Sequence, residues 1–151
     1  KSPKPPGRPT ADCLFEDASR DKITALKVWN VNEVNGVVAA FNVQGSTWSR
    51  RLRRFIRFPS PKPVRVAIAP RLVADERFQP GPSGRRFVVY SFRAGDVHPP
   101  MRAEDVLQGK ALASGEWEIY TVAPVLSSAI DNQSGDAVTW AALGATDMMN
   151  G

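Results

Sequence analysis

Cysteine is almost missing from this chain. Cys13 stands alone among 151 residues, so no internal disulfide can form, and a lone thiol suits a reducing compartment such as the cytoplasm. Histidine is as scarce: His98 is the single one, so any Ser-His-Asp relay would have to run through it. It lies in an Asp96-Val97-His98-Pro99-Pro100 stretch that reads as a surface loop. One His and one Cys cannot supply a tetrahedral nitrogen and sulfur set, so no metal is expected, and no cofactor either. No apolar run approaches the roughly 18 residues of a membrane span, and no signal-peptide pattern opens the chain. A phosphate-cradling loop is missing too, because Gly81-Pro82-Ser83-Gly84 lacks the Lys and the following apolar helix.

What is present is ordinary for a globular domain: 42% hydrophobic and 23% charged residues, with a net charge of +5. Thirteen prolines and eleven glycines point to many turns. Most of the positive charge traces to one cluster, Arg50–Arg57. The chain opens on a Lys/Pro tract rather than Met and stops on Asn-Gly, so it reads as a fragment of a longer protein.

Two apolar runs, Ala25–Trp29 and Val37–Phe41, flank a polar connector ending in Asn35-Gly36. β-branched and aromatic runs bounded by Asn and Gly predict a hairpin from about Ile23 to Gln44. Asn35-Gly36 is the dipeptide that a two-residue hairpin loop prefers. Lys1–Pro9, with four prolines, predicts an extended arm. Asp12–Phe15 reads as a short extended piece anchored by Leu14 and Phe15. In Ser49–Phe58 the spacing of Leu52, Phe55 and Ile56 suits one or two helical turns, with arginines on the exposed side. Val64–Ile68 alternates as a strand closed by Pro70, and Arg71–Gly84 is turn-rich. Arg85–Arg93 predicts a central strand with apolar residues on both faces. Met101–Gly115 reads as a short helical turn or an edge strand, and Trp117–Val122 as a strand stopped by Pro124. Leu126–Ile130 and Ala137–Leu143 complete the set. Short strands without long helical patterns predict an all-β fold, an antiparallel β-sandwich with irregular Pro/Gly-rich connections.

Candidate chemistry is thin. Glycoside hydrolysis needs two carboxylates converging on one bond. Glu16-Asp17, Asp75-Glu76 and Glu104-Asp105 are neighbours in sequence, and neighbours diverge on a strand and on a helix alike, so each reads as solvated surface. Trp29, Trp117 and Trp140 lie in apolar strands and read as core, and Trp48 is the one candidate sugar platform. The Arg50–Arg57 cluster, with Trp48, Phe55 and Phe58 interleaved, combines phosphate contacts with stacking surfaces. It allows a second reading, a free-standing sugar- or polyanion-binding module. Against a nucleic-acid partner stand fifteen acidic residues and the lack of a recognised binding motif around the cluster.

Three ordered stretches carry a resemblance. Lys27–Trp48 follows KVWN-x-N-x-x-x-GVV-x-x-FN-x-QG-x-x-W, Gly7–Phe15 is close to GRPTRDCLF with Ala11 at the second Arg, and Glu118–Val125 follows E-x-x-TV-x-PV. Leu143-Gly144 and Met148–Gly151 continue the third. Together they resemble plant raffinose synthases and alkaline α-galactosidases (seed imbibition proteins) of glycoside hydrolase family 36. Val43 and Thr47 depart from the family's usual Cys and Gly. The resemblance implies a C-terminal β-sandwich packed beside a (β/α)8 barrel that performs retaining galactosyl transfer or hydrolysis. Residues 1–22 would be the linker or the end of the preceding barrel region, and residues 23–151 an incomplete sandwich that stops where the family continues with further strands. The family's nucleophile is an Asp in a Lys-x-Asp motif, which this chain lacks, so no catalytic residue carries over. The implied partner is the barrel, and the implied location is the cytoplasm.

Overall fold

The computed structural model describes residues 6–19, 24–57, 61–81, 84–129 and 137–144. Eleven strands follow in order: β1 Arg8–Pro9, β2 Leu26–Val31, β3 Gly36–Phe41, β4 Ser46–Ser49, β5 Arg54–Arg57, β6 Val64–Ile68, β7 Arg86–Ser91, β8 Asp96–Arg102, β9 Leu107–Leu112, β10 Trp117–Ala129 and β11 Ala137–Ala141. Helical structure among these residues is confined to three single 3-10 turns, at Ala11–Cys13, Pro70–Leu72 and Glu76–Phe78. The fold is all-β and antiparallel, as the turn-separated strands predict.

One large sheet runs β1-β2-β3-β10-β7-β8, with β11 pairing the far half of β10. Register sets its inner face. Trp29 pairs with Val38, Val38 with Tyr120, and Val122 with Val89, so these side chains project to one side. A second, two-stranded sheet of β6 and β9 covers that face with Val64, Val66, Ile68 and Leu112. Val73 and Phe78, from the segment between β6 and β7, close the same core. The result is two packed layers around one apolar interior.

Glycines mark the tightest approaches. A β-carbon at Gly109 would fall 2.2 Å from the Tyr120 hydroxyl, so β9 can lie over that ring only with glycine there. At Gly36 the added carbon would meet Val73 Cγ1 at 2.8 Å. Gly36 opens β3, paired with Val31, so the hairpin loop is not the expected two-residue turn. It is Asn32–Asn35, where Asn32 Oδ1 accepts from the backbone N–H groups of Val34 and Asn35 at 2.8 and 2.7 Å. Arg77 then clamps this loop, donating to the carbonyls of Asn32 and Glu33 at 3.0–3.1 Å.

Several other expectations are corrected. The Ser49–Phe58 stretch is no helix: β4 and β5 form a hairpin with Trp48 opposite Phe55, and its tip carries Arg53 at φ 48°. Phe58 itself lies outside the described residues. Asp12–Phe15 is not extended and is not anchored by its apolar residues. Leu14 and Phe15 are exposed, and the anchors are buried Thr10 and Cys13, because the Thr10 hydroxyl and Asp12 close a local turn. Asp96–Pro100 belongs to β8 rather than a loop. Its prolines are tolerated because β8 ends the large sheet and can leave N–H positions unpaired. Pro124 does not stop β10 either. It sits at the last pair with β7 (Phe87) and just before the first with β11 (Val125↔Ala141), where a missing N–H interrupts neither ladder. Trp140 is 47% exposed rather than core.

Candidate functional site

The residues of the three resembling stretches converge on bonding rather than on open space. Asn42, just past β3, is buried, and its amide donates to the carbonyls of Lys62 (3.0 Å) and Leu112 (2.9 Å) while its Oδ1 accepts from Gln44 N–H at 3.1 Å. Buried Gln44 in turn accepts from the Lys62 N–H at 3.2 Å, and its carbonyl accepts from Ser114 Oγ at 2.5 Å. Gly45 follows at φ 127°, a conformation that favours glycine. These groups tie the end of β3, the approach to β6 and the β9–β10 turn into one node.

A second node sits at the start of the sheet. Thr10 N–H donates to the Lys27 carbonyl at 3.0 Å, and Cys13 Sγ accepts from Lys27 N–H at 3.3 Å. The Lys27 ammonium is buried and ion-pairs with Asp12. Burial alone would push the Asp12 carboxyl up. The Lys27 and Thr10 hydrogen bonds, with the Lys27 charge, outweigh it and hold that carboxyl below its ordinary value.

The third stretch supplies Glu118, 4% exposed at the edge of the inner face. Its two oxygens accept from the N–H groups of Arg93 (2.7 Å) and Ala94 (3.2 Å), so it fixes the β7–β8 turn. Glu116 lies two positions earlier on the chain and lines the same small cleft of about 90 Å³ with Lys110 and Trp117. Residues at i and i+2 of a strand share a face. That spacing could have singled out Glu116 and Glu118 in the sequence, where only adjacent acids attract notice. Glu116 is nonetheless engaged as well, accepting from the Ala113 N–H at 2.8 Å. Both carboxylates thus accept hydrogen bonds from backbone N–H groups of the turns they border. Tyr120, below them, has its phenol pushed up to about 12 by burial and the Glu118 charge, and stays neutral at any physiological pH.

The remaining candidates are distributed. Asp17 bonds Ser19, Asp75 caps the Glu76–Phe78 turn and pairs with Arg77, and Asp105 accepts from Arg102 N–H. His98 Nε2 meets Ser91 Oγ at 2.9 Å across β7 and β8. Ser91 is buried, and among the described residues no carboxylate bonds the other ring nitrogen, so the pair lacks the orienting group of a nucleophilic triad. Arg8 covers Trp29 and Arg93 covers Trp117, with guanidinium carbons 5.9 and 5.0 Å from the ring centroids. No three His, Cys, Asp or Glu side chains among the described residues group as a metal site. A second cleft, of about 200 Å³, lies between Pro80–Gly81 and Arg102–Glu104. Both clefts fall short of the roughly 300 Å³ at which ligand pockets begin.

Asn42, Gln44, Asp12, Lys27 and Glu118, which anchor these nodes, all lie in the resembling stretches. Residues 2–151 match the family described as raffinose synthase or seed imbibition protein Sip1. The chain belongs to this family. It is 37% identical over 143 residues to a galactinol–sucrose galactosyltransferase of Oryza sativa subsp. japonica, covering 94% of this chain and 17% of that protein. It is 32% identical over 152 residues to probable galactinol–sucrose galactosyltransferase 1 of Arabidopsis thaliana, covering 97% of this chain and 19% of the relative. A stachyose synthase of Pisum sativum is 29% identical over 147 residues, covering 94% of this chain and 16% of its own length. The chain thus spans less than a fifth of the length of these relatives. A family match along nearly the whole chain leaves the free-standing sugar- or polyanion-binding module without support. No helix among the described residues is long and apolar enough to cross a membrane.

Proposed function

We propose that this chain is the non-catalytic C-terminal β-sandwich portion of a galactosyl-transferring enzyme of the raffinose synthase family, a glycoside hydrolase family 36 type protein. Its role is to brace a separate catalytic barrel that moves galactosyl groups from a galactinol-like donor to a sucrose-like acceptor. One observation carries this reading: the polar residues of the family pattern, Asn42, Gln44, Asp12, Lys27 and Glu118, are engaged in bonds that hold turns and strand ends together. Transfer is preferred over hydrolysis because the relatives are named as galactosyltransferases and as a stachyose synthase.

The test is a direct assay of the 151-residue chain with galactinol and sucrose. No transfer and no galactose release are expected. Turnover that disappears when a carboxylate of this chain is replaced by its amide would overturn the accessory reading. The protein is further proposed to work in the cytoplasm, where the free buried thiol of Cys13 stays reduced. Cell fractionation should recover it with cytosolic markers; recovery with secreted proteins contradicts that placement.

A further inference from the structure

The β4–β5 hairpin is turned the wrong way round for a domain that ends at its own surface. Strand alternation puts Thr47 and Ile56 on one face and Trp48 and Phe55 on the other. The first pair is half-buried, whereas Trp48 is 51% and Phe55 72% exposed. The two rings meet edge to face, with centroids 5.3 Å apart, so they form one preassembled aromatic surface. Leu52 at the tip is also exposed, as are Arg50, Arg51 and Arg53 of the same turn, and Arg57 shares the strand face of Phe55 while Arg54 lies on the face of Ile56. The hairpin forms its own two-stranded sheet. A hairpin of this kind is marginal in water unless something covers it. Clustered exposed aromatics rimmed by arginine are the composition of an interface core, not of a solvated face.

From this geometry we infer that the β4–β5 hairpin is a docking element, seating Trp48, Phe55 and Leu52 in an apolar, acid-edged groove on the part of the family's chain that lies outside this segment. The occupant follows from size and charge. Relatives carry more than four-fifths of their length beyond the matched segment, and the exposed arginines of the hairpin turn beside the rings select carboxylates at the rim. Trp48 is also a residue of the resembling pattern, yet it contributes nothing to the core described above. The inference rests on the proposed role as a bracing portion, and its failure can be told apart from the failure of that role.

The experiment is hydroxyl-radical footprinting of the 151-residue chain alone and of a full-length chain in which it replaces the matching segment of the rice relative. Trp48 and Phe55 should label readily in the isolated chain and lose most of that labelling in the full-length one. Equal labelling in both overturns the docking inference even where the full-length chain transfers galactose. Protection in the isolated chain that is lost on dilution would mean a second copy covers the hairpin, and overturns it equally. If the full-length chimaera does not fold, the two pieces are co-expressed. They should then co-purify, and Trp48→Ser/Phe55→Ser should abolish this while leaving the Tm of the isolated chain unchanged. Absence of co-purification, or co-purification indifferent to the double substitution, contradicts the assignment.

Discussion

Asn42 shows how a buried polar side chain can be structural and still look like a site residue. Its amide satisfies the buried Leu112 carbonyl and the part-buried Lys62 carbonyl, so Asn42→Ala leaves both without this donor and should cost about 1–3 kcal/mol in urea unfolding. An unchanged midpoint would mean that the node is not closed as described. Gly109→Ala places a carbon against the Tyr120 ring and should destabilise by about 1–3 kcal/mol. Removing the hydroxyl in Gly109→Ala/Tyr120→Phe should recover part of that loss, a coupling that a double-mutant cycle measures directly. Asp12 makes a pH prediction. Its carboxyl is held below the ordinary value in the folded state, so the stability it contributes is complete above about pH 4, where the unfolded carboxyl ionises. That contribution is lost as pH falls further through the folded-state value. Denaturation midpoints of the native chain should drop along this acid limb more steeply than those of Asp12→Asn. Parallel curves would remove Asp12 from the account.

Elements were legible in the sequence where local pattern and environment agree. β3, β6 and β7 combine β-branched residues with burial and β2 is half-buried, and their positions follow from periodicity and turn signals alone. The β4–β5 hairpin was not legible, for a physical reason. Its aromatic pair points outward, so Leu52, Phe55 and Ile56, which occupy a tip, an outer face and an inner face, mimic the spacing of one helical stripe. Pro124 misled in a similar way, since only tertiary pairing reveals that its missing N–H falls between ladders. The Asn35-Gly36 turn signal found the right hairpin and the wrong loop, because Gly36 is required by the approach of Val73 and not by a positive φ. Gly36→Ala should therefore act through packing. Its cost should shrink when Val73 is shortened to Ala, and a cost independent of Val73 would contradict this.

At the scale of the molecule, a large antiparallel sheet covered by β6 and β9 places the family's characteristic residues at its seams. Three ordered motifs made the family legible. What the motif residues do was not legible, because Glu118 looks the same in one dimension whether it meets a sugar or two backbone N–H groups. The most direct measurement is the effect of Glu118→Gln in the full-length rice chimaera, read as Tm and as kcat for galactosyl transfer at a temperature where both proteins stay folded. A fastening carboxylate predicts a lower Tm with kcat essentially unchanged. A kcat collapse in a variant whose Tm is preserved would place Glu118 in the chemistry and contradict the account.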